Sequence, residues 1–127
     1  CESLILDKGM DDAVARTKSY LECGADGIMI HSRKADGKEI IEFCNHYKDF
    51  GSGKPLIVVP SSFDSITEDE FAKLGVNIVI YANHMMRAAY PAMKKVAETI
   101  LENGRSYETR SQCMSIKDIL KVIPGTI

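Results

Sequence analysis

Short apolar runs alternate with longer segments of helical spacing along this chain. The runs cover residues 3–6, 28–30, 56–59 and 76–81, and a glycine, proline or aspartate stands directly beside each of them. Runs of this length next to turn residues are typical of strands buried in a sheet. The sequence therefore predicts four strands.

The segments between and after these runs carry helix signals. The first helix is expected to end at Gly24. A later apolar stripe over residues 85–103 predicts a short helix, a kink near Tyr90 where Pro91 removes a backbone donor, and a longer helix from Pro91. A polar loop is expected over residues 104–114, followed by a closing helix over residues 115–123 that Pro124 and Gly125 stop.

Two of the predicted helices open with the spacing of a capping box. Asp36 stands three residues before Glu39, and Thr67 stands three residues before Glu70. In such a box the first side chain accepts from the backbone of the fourth residue, whose own side chain reaches back. We therefore expect Asp36 and Thr67 to be N-caps.

Alternation of strand and helix predicts an α/β fold with a parallel sheet and right-handed crossovers. The expected architecture is four βα units plus a C-terminal helix, which is either a small open sheet or half of an eight-stranded (β/α)8 TIM barrel. The sequence begins with Cys1 and not with Met, and its first residues have the pattern of a strand that has already started, which favours the half-barrel.

Polar residues follow three of the predicted strands. His31 and Ser32 follow the second, Ser61 follows the third, and Asn83 and His84 follow the fourth. Loops at the carboxyl ends of parallel strands converge on ligands in α/β proteins. These positions are therefore the candidate site.

Composition narrows the classes of function. The chain has 127 residues, enough for one domain, and its net charge of −2 with interspersed signs gives no basic footprint for nucleic acid or an anionic membrane. No apolar run approaches the roughly 20 residues that span a bilayer. Four widely spaced cysteines indicate neither zinc nor disulfides, and we expect a cytoplasmic protein.

Three segments resemble phosphoenolpyruvate mutase, of the isocitrate lyase/phosphoenolpyruvate mutase superfamily. They are residues 23–36 (CGADGIMIHSRKAD), 58–61 (VVPS) and 81–93 (YANHMMRAAYPAM). The tail, with IKDIL at 116–120 and IPGT at 123–126, is also similar to the end of the mutase. The likeness covers the whole chain but only the C-terminal half of the family's barrel.

The resemblance implies a magnesium-dependent isomerase that interconverts phosphoenolpyruvate and phosphonopyruvate and forms the carbon–phosphorus bond of phosphonate biosynthesis. His31 matches the family histidine that contacts the phosphoryl group. Glu2 lies two positions after the place of the family's substrate-binding arginine. The resemblance puts that arginine, the magnesium ligands and a mobile loop in the other half, so this chain alone is expected to be inactive.

Several candidate residues also have ordinary structural interpretations. Ser32, Arg33 and Lys34 either donate to an anion or form a solvated loop, and Ser61 either donates to substrate or shapes a turn. His31 itself is either a substrate contact or a satisfied core or capping residue.

The other candidates leave similar alternatives open. Asn83 and His84 either face the pocket or tie the last loop to the barrel rim. Arg87 binds phosphate at the start of a helix or pairs with a neighbouring carboxylate. Glu2 serves the barrel interior or lies near the substrate.

Two other functions stay open at this point. One is phosphonopyruvate hydrolase or a lyase of the same superfamily; the other is a non-catalytic βα module that binds a small anion or a partner protein. The resemblance also implies a homo-oligomer that associates through the C-terminal helices.

Overall fold

The computed structural model describes residues 1–123 and 125 and has a mixed α/β fold. Helices and short strands alternate in the order α1 (Met10–Glu22), β1 (Ile28–Ile30), α2 (Lys38–Asp49), β2 (Leu56–Val58), α3 (Glu68–Lys73), β3 (Ile78–Val79), α4 (His84–Asn103), a 3-10 helix (Tyr107–Ser111) and α5 (Ile116–Ile119). The predicted α/β class with a parallel sheet is confirmed.

The strands form one parallel sheet in the order β1-β2-β3. Ile30 pairs with Val58, and Val58 pairs with Val79, so the three strands end at the same level. The carboxyl ends of the strands therefore meet at one edge of the sheet.

The predicted strand over residues 3–6 is not formed, so the part of the chain that the structure describes has three βα units where four were expected. These residues form a turn, in which Leu6 N donates to Glu2 O at 3.0 Å and Lys8 N donates to Ser3 O at 2.9 Å. Asp7 then adopts a left-handed φ of 54°. Because the segment satisfies its own backbone groups, it does not add a strand to the sheet.

The two faces of the sheet have unlike surroundings. Alternate residues of β1 and β2 point to the helices and are buried, among them Ile30 and Val58, which are both 0% exposed. Residues of the other parity face away from that core: Met29 is 43% exposed and Ile78 is 46% exposed. We call this second surface the open face, defined by Met29, His31, Val59 and Ile78.

One predicted capping box is present and the other is not. Thr67 caps α3, since its Oγ1 accepts from Glu70 N while the Glu70 carboxylate accepts from Thr67 N. Helix α2 begins instead after Gly37, whose φ of 65° suits glycine, and Asp36 accepts from Lys38 N and not from Glu39 N. Glu39 is bonded elsewhere, as described below.

Asn77 closes the amino end of the β2–β3 ladder. Its side-chain Oδ1 accepts from Leu56 N at 2.9 Å, and its own backbone N donates to Leu56 O at 2.9 Å. A side chain thus takes the place of a backbone acceptor at this rung.

The described part of the chain divides into two compact units, residues 1–82 and 83–127. In the second unit, α4 is one continuous helical segment that includes Pro91, where the sequence predicted two helices. The predicted loop over residues 104–114 contains the 3-10 helix, and the closing helix is limited to Ile116–Ile119. Pro124, expected to stop that helix, lies outside the described residues.

Among residues 1–123 and 125, no helix has the length and apolar character that crossing a membrane requires.

Candidate functional site

His31 and Ser61 lie at the same edge of the sheet. His31 follows directly after β1, and Ser61 comes three residues after the end of β2. The register of the parallel ladder sets His31 level with Val59 and Ile80. The prediction that these strand ends converge on one edge agrees with this placement.

Strand alternation sends His31 and Ser32 to opposite faces. Ile30 and Ser32 are both 0% exposed on the helix side, whereas His31 lies between them in sequence and is half-buried. His31 therefore belongs to the open face, where an approaching ligand can reach it.

The His31 ring lies in a small concavity and packs against Phe63. The concavity, of about 260 Å³, is lined by Cys1, Glu2, Met29, His31 and Val59. The imidazole meets the Phe63 ring edge to face, with 6.2 Å between centroids. Glu2, predicted to serve the barrel interior or the substrate, thus borders the same concavity as His31.

Ser32 has its hydroxyl committed to the protein. Its Oγ donates to Glu39 Oε2 at 2.7 Å and accepts from Lys34 N at 3.1 Å. Glu39 Oε1 also pairs with Lys34 Nζ at 2.6 Å. These three residues form a clamp that joins the loop after β1 to the first turn of α2.

The clamp shifts the acidity of its members. Burial favours the neutral form of Glu39, but the hydrogen bonds from Lys34 and Ser32 outweigh it, so the pKa of Glu39 is lowered. The hydrogen bond to Glu39 raises the pKa of Lys34. The pair is therefore ionised at neutral pH.

Arg33 differs from its neighbour Lys34. Lys34 is paired with Glu39, whereas Arg33 is exposed and has no ion pair or hydrogen bond with any residue in the described part of the chain. Of the two cations proposed for this loop, Arg33 is the one available to a ligand.

Ser61 lies in a tight turn after β2. Its backbone N donates to Val59 O at 2.8 Å, and the residue is half-buried next to the buried Pro60. This geometry agrees with the turn-forming interpretation of Ser61.

Asn83, His84 and Arg87 belong to the second unit. Asn83 is the N-cap of α4 through its backbone, because Asn83 O accepts from Arg87 N at 2.9 Å, while its side chain makes no cap bond. His84 is the first residue of α4, and Arg87 is exposed one turn later. Their predicted convergence with His31 stays a prediction.

Sequence reasoning missed two contributors, Glu39 and Phe63. The spacing of Glu39 from Asp36 predicted a capping box. Its hydrogen bond with Ser32 joins residues seven positions apart, a spacing that no local sequence rule predicts. Phe63 is the single aromatic residue within the segment 60–67, and it is 0% exposed. An isolated aromatic in a polar loop was the available signal.

The described residues do not fit a metal centre. Across positions 1–123 and 125, no group of three or more His, Cys, Asp or Glu side chains is placed to hold a metal ion. We therefore assign no metal-dependent step to these residues.

The chain matches known proteins along most of its length. The sequence profile of phosphoenolpyruvate phosphomutase matches residues 1–101. Phosphoenolpyruvate phosphomutase of Tetrahymena pyriformis is 32% identical over 95% of this chain and 39% of that protein. Phosphonopyruvate hydrolase of Variovorax sp. (strain Pal2) is 38% identical over 95% of this chain and 41% of that protein.

The same likeness extends to solved structures. A crystal structure of phosphonopyruvate hydrolase in complex with oxalate and Mg²⁺ superposes with a TM-score of 0.80 at 38% identity, covering 95% of this chain and 42% of that one. The chain spans about two fifths of the length of the curated relatives it matches, and its small parallel sheet with helices matches a fragment of their TIM-barrel fold. The predicted resemblance is confirmed: the chain belongs to the phosphoenolpyruvate phosphomutase family, within the isocitrate lyase/phosphoenolpyruvate mutase superfamily.

Proposed function

We propose that these residues form the C-terminal half-barrel of an enzyme that interconverts phosphoenolpyruvate and phosphonopyruvate. In the forward direction the bond from phosphorus to the enol oxygen breaks, and a bond from phosphorus to the methylene carbon forms. The observation that carries the proposal is the place of His31, which stands on the open face at the carboxyl edge of the sheet.

His31 is the proposed catalytic residue. A phosphoryl group in transfer carries negative charge on its three equatorial oxygens, and fixed donors around those oxygens lower the barrier. An imidazole N–H in the concavity shared with Glu2 is such a donor. Arg33, exposed beside it, supplies a positive charge at the rim.

The other candidates have secondary roles in this proposal. Ser61 and Asn83 contact the substrate, and Ser32 contributes to the substrate site through the loop that it fixes. Glu2 and His84 support the rim. Mg²⁺, which the crystal structure of the hydrolase contains with oxalate, is proposed to bind ligands outside this chain.

Phosphonopyruvate hydrolysis is the second candidate function. The Variovorax hydrolase is 38% identical to this chain, and the Tetrahymena mutase is 32% identical. In hydrolysis water attacks phosphorus, the carbon–phosphorus bond breaks and the carbon takes up a proton, which gives pyruvate and phosphate. The products separate the two reactions.

The test uses the intact protein that contains these residues, supplied with phosphonopyruvate and Mg²⁺ and followed by ³¹P NMR. Formation of phosphoenolpyruvate supports the mutase, and formation of inorganic phosphate with pyruvate supports the hydrolase. Absence of both products, with the protein folded, leaves the non-catalytic anion- or partner-binding module.

Substitution of His31 tests its role directly. His31→Asn should lower kcat/KM about 100-fold or more, as loss of one oxyanion donor does elsewhere. His46→Asn is the matched control, because His46 is an exposed residue in the last turn of α2. Equal activity of the two variants would contradict the assignment of His31.

We further propose a homo-oligomer formed through the second unit. Met85, Met86, Tyr90 and Leu101 of α4 are each more than 60% exposed, an unusual apolar surface for one helix. Light scattering on the intact protein should give a mass above that of one chain, and a monomer would contradict the proposal.

The proposed substrate is a small molecule, and we propose no nucleic acid or membrane partner for the protein. The four free thiols fit a cytoplasmic setting.

A further inference from the structure

The two ring nitrogens of His31 lie in different environments. Nδ1 is buried and has no hydrogen-bond partner within the described residues, whereas Nε2 also has no partner there but is not buried, and the residue lines the concavity of the open face. No other side chain in the described part of the chain donates to or accepts from either nitrogen.

This asymmetry bears on where the ring proton resides. A neutral imidazole has one N–H and one bare nitrogen, and which is which depends on their partners. A buried N–H without an acceptor is among the rarest arrangements in folded proteins, rarer than an acceptor that lacks a donor. The proton is therefore better placed on Nε2, where solvent or a ligand accepts from it.

Phe63 keeps the ring in this orientation. It is 0% exposed, and its ring meets the His31 imidazole at 6.2 Å and 63°. Phe71 in turn packs against Phe63, with 6.3 Å between centroids and an angle of 79°. The His31 ring therefore packs on a buried aromatic pair.

We propose that Phe63 is a positioning residue that holds His31 as its Nε2–H tautomer, with that single donor directed into the concavity. An anionic oxygen of phosphoryl or carboxylate type is the acceptor that this donor fits. The identity of that oxygen rests on the proposed function. The tautomer does not, because it is a property of the chain without ligand.

The experiment is two-bond ¹H–¹⁵N correlation NMR on the 127-residue chain labelled with ¹⁵N-histidine. The spectra are recorded at about pH 8.5, where free imidazole is neutral. His31 signals are identified by their loss in His31→Gln. Nδ1 should give the shift of a bare nitrogen and Nε2 that of a protonated one, while the exposed His46 serves as an averaged reference.

Substitutions then test the positioning role. Phe63→Leu removes the ring that touches His31, so the two nitrogen shifts should move towards the average of both tautomers. Phe71→Leu is the matched control, because it removes an equally buried ring one contact further away. It should leave the His31 shifts in place.

Several outcomes would overturn the proposal. They are an Nδ1–H or averaged pattern for His31 in the unsubstituted chain, an unchanged pattern in Phe63→Leu, or equal shifts in the two leucine variants. Should Phe63→Leu lack a dispersed amide spectrum, Phe63→Met fills a similar volume without a ring and is read by the same criteria. Failure of the catalytic assay would leave the tautomer result standing, so the two failures are distinguishable.

Discussion

The clamp between Ser32, Lys34 and Glu39 yields a quantitative prediction. The Ser32 hydroxyl is fully buried and donates to a carboxylate at 2.7 Å. A hydrogen bond to a charged group contributes about 1.5–3 kcal/mol. Ser32→Ala removes that bond and also the acceptor of Lys34 N, a weaker bond at 3.1 Å between neutral groups. We expect the free energy of unfolding to fall by about 2 kcal/mol.

The chain offers a matched control in Ser61. This serine also follows a strand, is half-buried and has no side-chain hydrogen bond within the described residues. Ser61→Ala should change the free energy of unfolding by no more than about 0.5 kcal/mol. The contrast isolates the hydrogen bond from the mere loss of a hydroxyl group.

A double-mutant cycle of Ser32→Ala with Glu39→Ala measures the coupling. Residues that share a hydrogen bond couple by about 0.5–3 kcal/mol, and we expect about 1.5 kcal/mol here. Urea unfolding followed by both far-UV circular dichroism and tyrosine fluorescence gives the energies and checks that the two probes coincide. A coupling below about 0.3 kcal/mol, or a Ser32→Ala effect equal to that of Ser61→Ala, would refute the reasoning.

Three further predictions concern single groups. Because the pKa of Glu39 is lowered in the folded chain, its stabilising contribution is present above the ordinary value of 4.5 and is lost as the pH falls through the folded pKa. In Glu39→Gln, the free energy of unfolding should therefore depend less on pH below about pH 4.5 in acid unfolding curves. Burial raises the pKa of the Cys44 thiol to about 11. Iodoacetamide should therefore modify the exposed Cys23 and Cys113 in the native chain, and Cys44 only in urea, as measured by mass spectrometry of the peptides. Thr67→Ala should cost about 1 kcal/mol in urea unfolding by removing the cap of α3, and no loss would contradict that cap.

Local rules predicted the parts of the fold that depend on neighbours in sequence. The apolar runs before His31 and Ser61 became strands, and the Thr67 capping box formed as its spacing indicated. The opposite burial of His31 and Ser32 also follows from strand alternation alone, although their position after a predicted strand made both of them candidate site residues.

The remaining features depend on contacts that no local pattern contains. The run at residues 3–6 is apolar enough for a strand, but its backbone groups pair within a turn. Asp36 and Glu39 have the same spacing as a working capping box, yet Ser32 and Lys34 compete for the Glu39 carboxylate and Gly37 caps α2. Contacts from outside the helix outweighed its local signal in this case.

The hydrogen bond from Leu56 N to the Asn77 side chain distinguishes the two ends of the sheet. It stabilises the ladder where β2 begins, which is the end remote from His31. Loops at the opposite rim are then free to change without loosening the framework that supports them. The two relatives described above, a mutase and a hydrolase, carry different activities along the stretch that they share with this chain.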